Sequence, residues 1–426
     1  MALDPVHFEG IARHARRIVR DVDERDQRAF AETVWREFLD PLVDDDDRAV
    51  LEPLGEQQCY EVDVEAAALQ SSPFPTHQGL DSGTINPTSF KNGLVLDVAH
   101  AAMASEPSDL DLHRNRTIVT TVHTTDPASI KEIDEELDEG YTRNLLLRAP
   151  PVPRFEESVV HELSLYLAES EHALRHVDVV DDLLVLDGPI YPKGILNWVD
   201  RDPALEVLLE DAEPRDVVEN YLRLVERTVE ADVPLVGFVK NTATKAITRT
   251  LRERGRDAPW VNDAAFFTRL LERVEYVDTV DERGRERRRR ERDTDALTYT
   301  NWFRSRAGAD RLLAAGSDAF GIDRNLDTRA YEVTFFVLYD PRDDLLYRIE
   351  APYAVTEDPD RRADVVDFAL REVAANGGPP TAVAKADELA RIGEAETESV
   401  RRELADSFET DRVRTYDDHR WAPEPF

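Results

Sequence analysis

Cysteine is almost missing: Cys59 is the only one in 426 residues. That excludes an intramolecular disulfide and any metal centre built on several thiolates. Lysine is scarce too, confined to Lys91, Lys131, Lys193, Lys240, Lys245 and Lys385, so arginine supplies nearly all of the 53 basic residues. Long apolar runs are also lacking. The longest, Gly93 to Ala104, carries Asp97 and His100 and falls short of the roughly 20 residues that a membrane-spanning helix needs. The opening MALDPVHFEG has neither a basic start nor an apolar core, so no secretory signal is expected and the cytoplasm is the expected location.

What abounds is acid. Asp and Glu number 89, for a net charge of −36. With 41% hydrophobic and 33% charged residues, the chain has the composition of a folded soluble protein rather than a disordered one. Such an acidic, lysine-poor surface reads as adaptation to a salt-rich cytoplasm, where screening makes like-charge crowding tolerable. It also argues against nucleic acid as a partner, because DNA is an anion, unless local basic patches overturn it.

The hydrophobic pattern predicts three stretches: an N-terminal helical region over 1–70, a main domain over 71–405, and a poorly ordered tail over 406–426. Two amphipathic helices are expected between His7 and Leu42. A short strand and a turn then lead into a long strand near Thr76 to Ala104, and Arg116 to Thr125 supplies a third strand rich in β-branched residues. The acidic segment Ile130 to Gly140 reads as a surface helix, and Phe155 to Val177 as a strong one. Leu183 to Asp187 and Pro234 to Thr242 are buried strands, each followed by helix. Tyr331 to Tyr353 is a hairpin, and two helices, Arg361 to Ala375 and Ala382 to about Leu404, close the pattern. Three strands, then alternating helix and strand, predict an α/β fold with a mixed sheet, flanking helices and additional helical insertions. This is also the element order of ribonuclease-H-like nucleases.

Two strands end on aspartate. Asp187 closes Leu183-Leu184-Val185-Leu186-Asp187, and Asp81 sits in Gly79-Leu80-Asp81-Ser82-Gly83-Thr84 before a Ser-Gly pair that reads as a turn. An Asp before Gly is ordinarily a turn former, and two at the ends of adjacent strands make a chemical role about as good a reading. Two carboxylates held together repel unless a cation stands between them, and Mg²⁺ or Mn²⁺ is the usual one. The intervening helix carries Glu162 and Glu169 on one face, either of which could supply a third acid. Carboxylates around two divalent ions suit phosphodiester hydrolysis, one ion activating water and the other stabilising the leaving oxygen.

On these residues the chain resembles the NurA family of archaeal DNA-repair nucleases. The likeness is carried by GLDSGT, LLVLDGPI, LVGFVKNT and LYRIEAPY, with a weaker PPTAVAKADELARIG, spanning Gly79 to Gly393 in the family's order. The resemblance implies a ribonuclease-H-like fold and a manganese-dependent (or magnesium-dependent) nuclease acting on DNA as a homodimer. It also implies partnership with a HerA-type translocase in 5′-end resection. It places Asp81 and Asp187 at the catalytic and metal-holding aspartates and the helical glutamate on Glu162, with Glu169 as the alternative. The family's Asp-Gly-Ser appears here as Asp81-Ser82-Gly83. Its late histidine is replaced in position by Asp387, an oxygen ligand, since no histidine occurs between His176 and His419.

Three features bear on substrate. Lys240, at a strand end, could hold the scissile phosphate. Arg348 alternates with Glu350 along the hairpin and could contact substrate or pair with neighbours. The run Glu282 to Asp293, with Arg287, Arg288, Arg289 and Arg290 at its centre, is the one strongly basic patch, equally suited to phosphate contact or to pairing with surrounding acids. Two rival readings are a NurA-like subunit without catalysis, anchoring a HerA-type hexamer, and a two-carboxylate glycosidase, for which the chain lacks the aromatic density of a sugar cleft.

Overall fold

The structure, a computed structural model, describes residues 4–18, 24–125, 135–240, 242, 244–280, 286–317 and 320–414. Strands β1 (His77–Thr84), β2 (Leu94–Glu106) and β3 (Arg116–Thr124) are antiparallel neighbours. Helix α1 (Glu156–His176) leads into β4 (Leu184–Leu186), and α2 (Ala212–Glu230) into β5 (Leu235–Val239). The hairpin β6 (Val333–Asp340) and β7 (Leu345–Pro352) follows, then helices α3 (Pro359–Asn376) and α4 (Thr381–Ala390).

The topology follows from burial. Leu184, Val185 and Leu186 are apolar on both faces, which suits the centre of a parallel sheet. β4 accordingly lies between β1 and β5, parallel to both, with Leu186 opposite Leu80 and Gly237. β3-β2-β1-β4-β5 is the order expected for the ribonuclease-H-like arrangement, and β7 and β6 extend the sheet antiparallel beyond β5. One face packs under α1 and α2, where Leu80, Leu184 and Leu186 meet Val159, Leu163 and Leu222. The other packs under α3 and α4, where Val185, Val236 and Phe238 meet Phe368, Val373 and Val383. Each fully buried side chain of this kind contributes about 1.5–3 kcal/mol.

The sequence reading misses where pairing is distant. The segment expected as a helix over Ile130 to Gly140 contains a strand, Glu135–Glu139, paired with Thr142–Arg148, which itself runs parallel to β3; residues 130–134 lie outside the described ones. That strand is the sheet edge among the described residues, and the exposed charges of Asp138 and Glu139 disfavour pairing with another chain there. The N-terminal region holds helices Pro5–Ile18 and Glu24–Phe38 but is not only helical. Ala49–Pro53 pairs with Phe303–Ser305, and Cys59–Asp63 with Ala296–Thr300, partners some 240 residues away that no local pattern signals. The long last helix is two, α4 and Glu394–Ser407, and the start of the expected loose tail is tied down by Val413 N–H donating to the Ser89 carbonyl at 2.7 Å. Residues 415–426 lie outside the described ones. Among the described residues no helix is long and apolar enough to cross a membrane.

Candidate active site: aspartates at the ends of parallel strands

The register of β1 and β4 brings the two aspartates side by side. Beyond the Leu80–Leu186 pair come Asp81 and Asp187, and the Asp187 N–H donates to the Leu80 carbonyl at 2.8 Å. GLDSGT is not strand then turn, as expected, but strand throughout. Strand alternation puts Gly79, Asp81 and Gly83 on one face, and the glycines explain what covers it. A Cβ on Gly79 would stand 2.4 Å from the Val383 nitrogen, and one on Gly83 1.9 Å from the Ala390 carbonyl oxygen. Helix α4 thus lies directly against the backbone of β1, with Asp387 carried to the edge of the Asp81 face. Position 83 has to be glycine, because any side chain there would strike α4.

Like charges crowd here. Burial first, and the Asp187 carboxylate second, push Asp81 up to about 8, while the Ser82 N–H at 2.7 Å from Oδ1 works the other way. Asp187 is also raised, mainly by burial, against the Lys240 ammonium 2.6 Å from its Oδ2. A proton kept by one of the pair relieves the repulsion between them. Asp387, half exposed and bonded to Arg391 at 3.1 Å, adds negative charge that raises both.

The helical acid beside them is Glu169, not Glu162. Glu169 Oε1 accepts from Ser82 Oγ at 2.6 Å and Oε2 from Tyr221 Oη at 2.8 Å, and burial pushes it to about 7. Glu162 accepts instead from Trp198 Nε1, from Ser158 Oγ at 3.0 Å and from Arg201 at 3.3 Å. The two share a helix face, but seven residues are about 10 Å along the axis, and only the second reaches the strand end. Ser82 faces α1 and so meets Glu169, whose charge also reaches Asp81.

The donor chemistry, carboxylate oxygens alone, suits Mn²⁺ or Mg²⁺, which bind through one or two carboxylates and keep several waters. Asp81 and Asp187 are the pair that could hold one, with Asp387 at the rim. Among the described residues, no three His, Cys, Asp or Glu side chains form a ready metal shell. Glu169 is held by Ser82 and Tyr221, and Lys240 occupies one oxygen of Asp187.

The other expected contacts divide. Lys240 is at the site, part-exposed and bonded to Asp187. Arg348 is not a surface contact: it is buried, with Asp310 at 3.2 Å, Glu350 at 2.6 Å and its guanidinium 3.8 Å from the Phe335 ring centre, so the strand alternation marked a neighbour pair. The backbone of Glu286–Arg292 pairs with Val274–Val280 in a separate two-stranded ribbon; the side chains of Arg287, Arg288, Arg289 and Arg290 lie outside the described ones. Sequence reasoning overlooked the roles of Ser82 and Tyr221. Alternation along β1 alone could have placed Ser82 toward the helix, whereas Tyr221 carries no local signal.

Comparison with solved structures finds the NurA nuclease from Sulfolobus solfataricus, 12% identical, with 86% of this chain and 89% of that chain covered at a TM-score of 0.44. A NurA crystallised with manganese shares 10% identity over 83% and 93% of the two chains, TM-score 0.39. One bound to dAMP and manganese shares 10% over 98% and 99%, TM-score 0.42. No curated protein matches the sequence. The family model described as the NurA domain matches residues 78–392, from the start of β1 to the end of α4, and the chain therefore belongs to the NurA family.

Proposed function

We propose that this NurA-family chain is a divalent-metal-dependent deoxyribonuclease, with Asp81 and Asp187 holding Mn²⁺ (or Mg²⁺). The observation that carries the reading is the aspartate pair on adjacent parallel strands, with Asp81 pushed up to about 8 beside Asp187. Two part-buried carboxyls in mutual repulsion do nothing for packing, and a hard cation relieves that repulsion. When bound, the metal supplies an activated water and charge neutralisation at the phosphate. The chain's own residues do the rest. Asp81, its proton lost to solvent, and Asp187 would hold the ion, Asp387 would border the opening, and Lys240 would be placed to engage a phosphate oxygen. Glu169 is the third acid, Glu162 being committed to Trp198 and Arg201. Arg287 to Arg290 would track the DNA backbone on their ribbon. Work as a homodimer with a HerA-type hexamer in 5′-end resection belongs to this proposal and rests on the family likeness.

The test is cleavage of linear DNA with Mn²⁺ in molar salt. The wild type should degrade it, and Asp187→Ala should not; cleavage retained by that variant sinks the assignment. One observation favours the second reading, a non-catalytic subunit anchoring the hexamer: the Lys240–Asp187 pair already neutralises one ligand. In that case the protein binds the hexamer but no Mn²⁺.

A further inference from the structure

Glu169 is held at both ends. Ser82, the residue after Asp81, donates to one oxygen, and Tyr221 of α2, 2% exposed, donates to the other. The Tyr221 ring meets the edge of Tyr166 at 6.2 Å, and the Tyr166 hydroxyl accepts from the Gly194 N–H at 3.1 Å, on the segment that follows Asp187. A single chain of contacts thus runs from the strand carrying Asp81, through Glu169, Tyr221 and Tyr166, to the loop leaving Asp187.

The plain explanation is that a buried phenol needs an acceptor. It does not account for the acceptor chosen. A backbone carbonyl or an amide would satisfy Tyr221, yet the fold supplies a carboxylate whose charge opposes ionisation of both nearby aspartates. Among the described residues Glu169 has no cationic partner, and a part-buried acid fixed by two hydroxyls beside two more acids is an arrangement that stability alone disfavours. Each Glu169 oxygen keeps a second lone pair after accepting one hydrogen bond, so the clamp orients the group without consuming it.

We propose that Tyr221 is a positioning residue of the carboxylate site, fixing Glu169 so that it reinforces the hold of Asp81 and Asp187 on a divalent cation. The proposal rests on the metal-holding reading of those aspartates. Ligand-orienting partners one shell out typically cost 10–100-fold in metal affinity when removed, and Tyr221 is that kind of partner to Glu169.

Tyr221→Phe removes only the hydroxyl and keeps the ring in its packing. Mn²⁺ binding is followed by loss of the free-ion paramagnetic resonance signal, in parallel with the Mn²⁺ dependence of DNA cleavage. Tyr221→Phe should raise the half-saturating Mn²⁺ concentration about tenfold in both, and Ser82→Ala should do the same through the other oxygen. In a Glu169→Gln background, Tyr221→Phe should add less than twofold, since the residue acts through Glu169. A half-saturation point unchanged within twofold in Tyr221→Phe, while wild type binds Mn²⁺ and Asp187→Ala does not, overturns the positioning role and leaves the site intact. Mn²⁺ binding by Asp187→Ala equal to wild type instead overturns the metal reading itself, and this inference with it.

Discussion

Two buried charged regions lie on one sheet and are built on opposite plans. Beneath β6 and β7, acids and bases match. Arg304 and Arg306 meet Glu332 at 2.9 and 3.2 Å, and Arg304 also meets Glu52 at 3.2 Å. Arg348 and Lys193 share Asp310 and Glu350. At the ends of β1 and β4 the acids outnumber the bases: among the described residues Asp81, Asp187, Glu169 and Asp387 are met only by Lys240, on Asp187, and Arg391, on Asp387. Loss of water has opposite consequences in the two. Asp310, despite burial, is held below the usual carboxylate range by Lys193 and Arg348, whereas Asp81 is driven up. A matched set closes on itself and has no open valence for a ligand. An unmatched one is left wanting a cation, and that imbalance, more than the presence of acids, marks a site in a chain that is acidic everywhere.

Breaking a matched pair should give the largest effect. Arg348→Ala leaves Asp310 and Glu350 short of a partner in the interior, and removal of one member of a buried pair costs about 3–5 kcal/mol. Urea unfolding in molar salt should show that loss. Asp187→Asn, at the unmatched site, should cost nothing or stabilise the metal-free protein. An Arg348→Ala variant as stable as wild type would erase the distinction between the two regions.

Supplying the missing cation comes next. A ligand bound only by the folded state stabilises it by about 2.7 kcal/mol at a hundred times its dissociation constant. Mn²⁺ should therefore raise the melting temperature of the wild type and leave Asp81→Ala and Asp187→Ala unmoved. Equal shifts in all three would place the ion elsewhere on the acidic surface.

How much of this comparison could be read from the chain depends on which part is local. Leu184 to Asp187 is legible because a short apolar run ending on Asp has few structures open to it, and β1 and β4 then follow as neighbours in an alternating pattern. Glu169 was ambiguous with Glu162 because both satisfy the same helical periodicity; what separates them is axial position relative to a strand end, a tertiary fact. Arg348 looked like a surface cation because alternation along a strand does not say which face meets water. Asp310, its partner, and Lys193, which shares that acid, sit in segments without period, far in sequence from the paired β5 and β7. The Ser82-Gly83 order read as a turn, since two small residues signal flexibility locally; here they signal a helix pressed onto a strand.

The smallest expected effect is the one with opposite signs in the two regions. Asp81 at about 8 in the folded state, against 3.8 as its ordinary value, binds a proton between those limits that the unfolded chain releases. Unfolding therefore becomes easier as pH rises through that window, and Glu169, at about 7, adds to the trend. Asp310 is lowered, so its contribution is present above the ordinary carboxylate value and is lost as pH falls through its depressed one. Metal-free protein in molar salt should thus have a urea midpoint that declines from pH 5 to pH 8.5, and Asp81→Asn should flatten that decline while leaving the acid limb below pH 4 unchanged. Mn²⁺ should reverse the neutral limb, because ligated carboxylates hold no protons and binding strengthens as they are released. A decline equally steep in Asp81→Asn would mean that the crowding at β1 and β4 is relieved by something other than a proton, with Lys240 the nearest group able to do it.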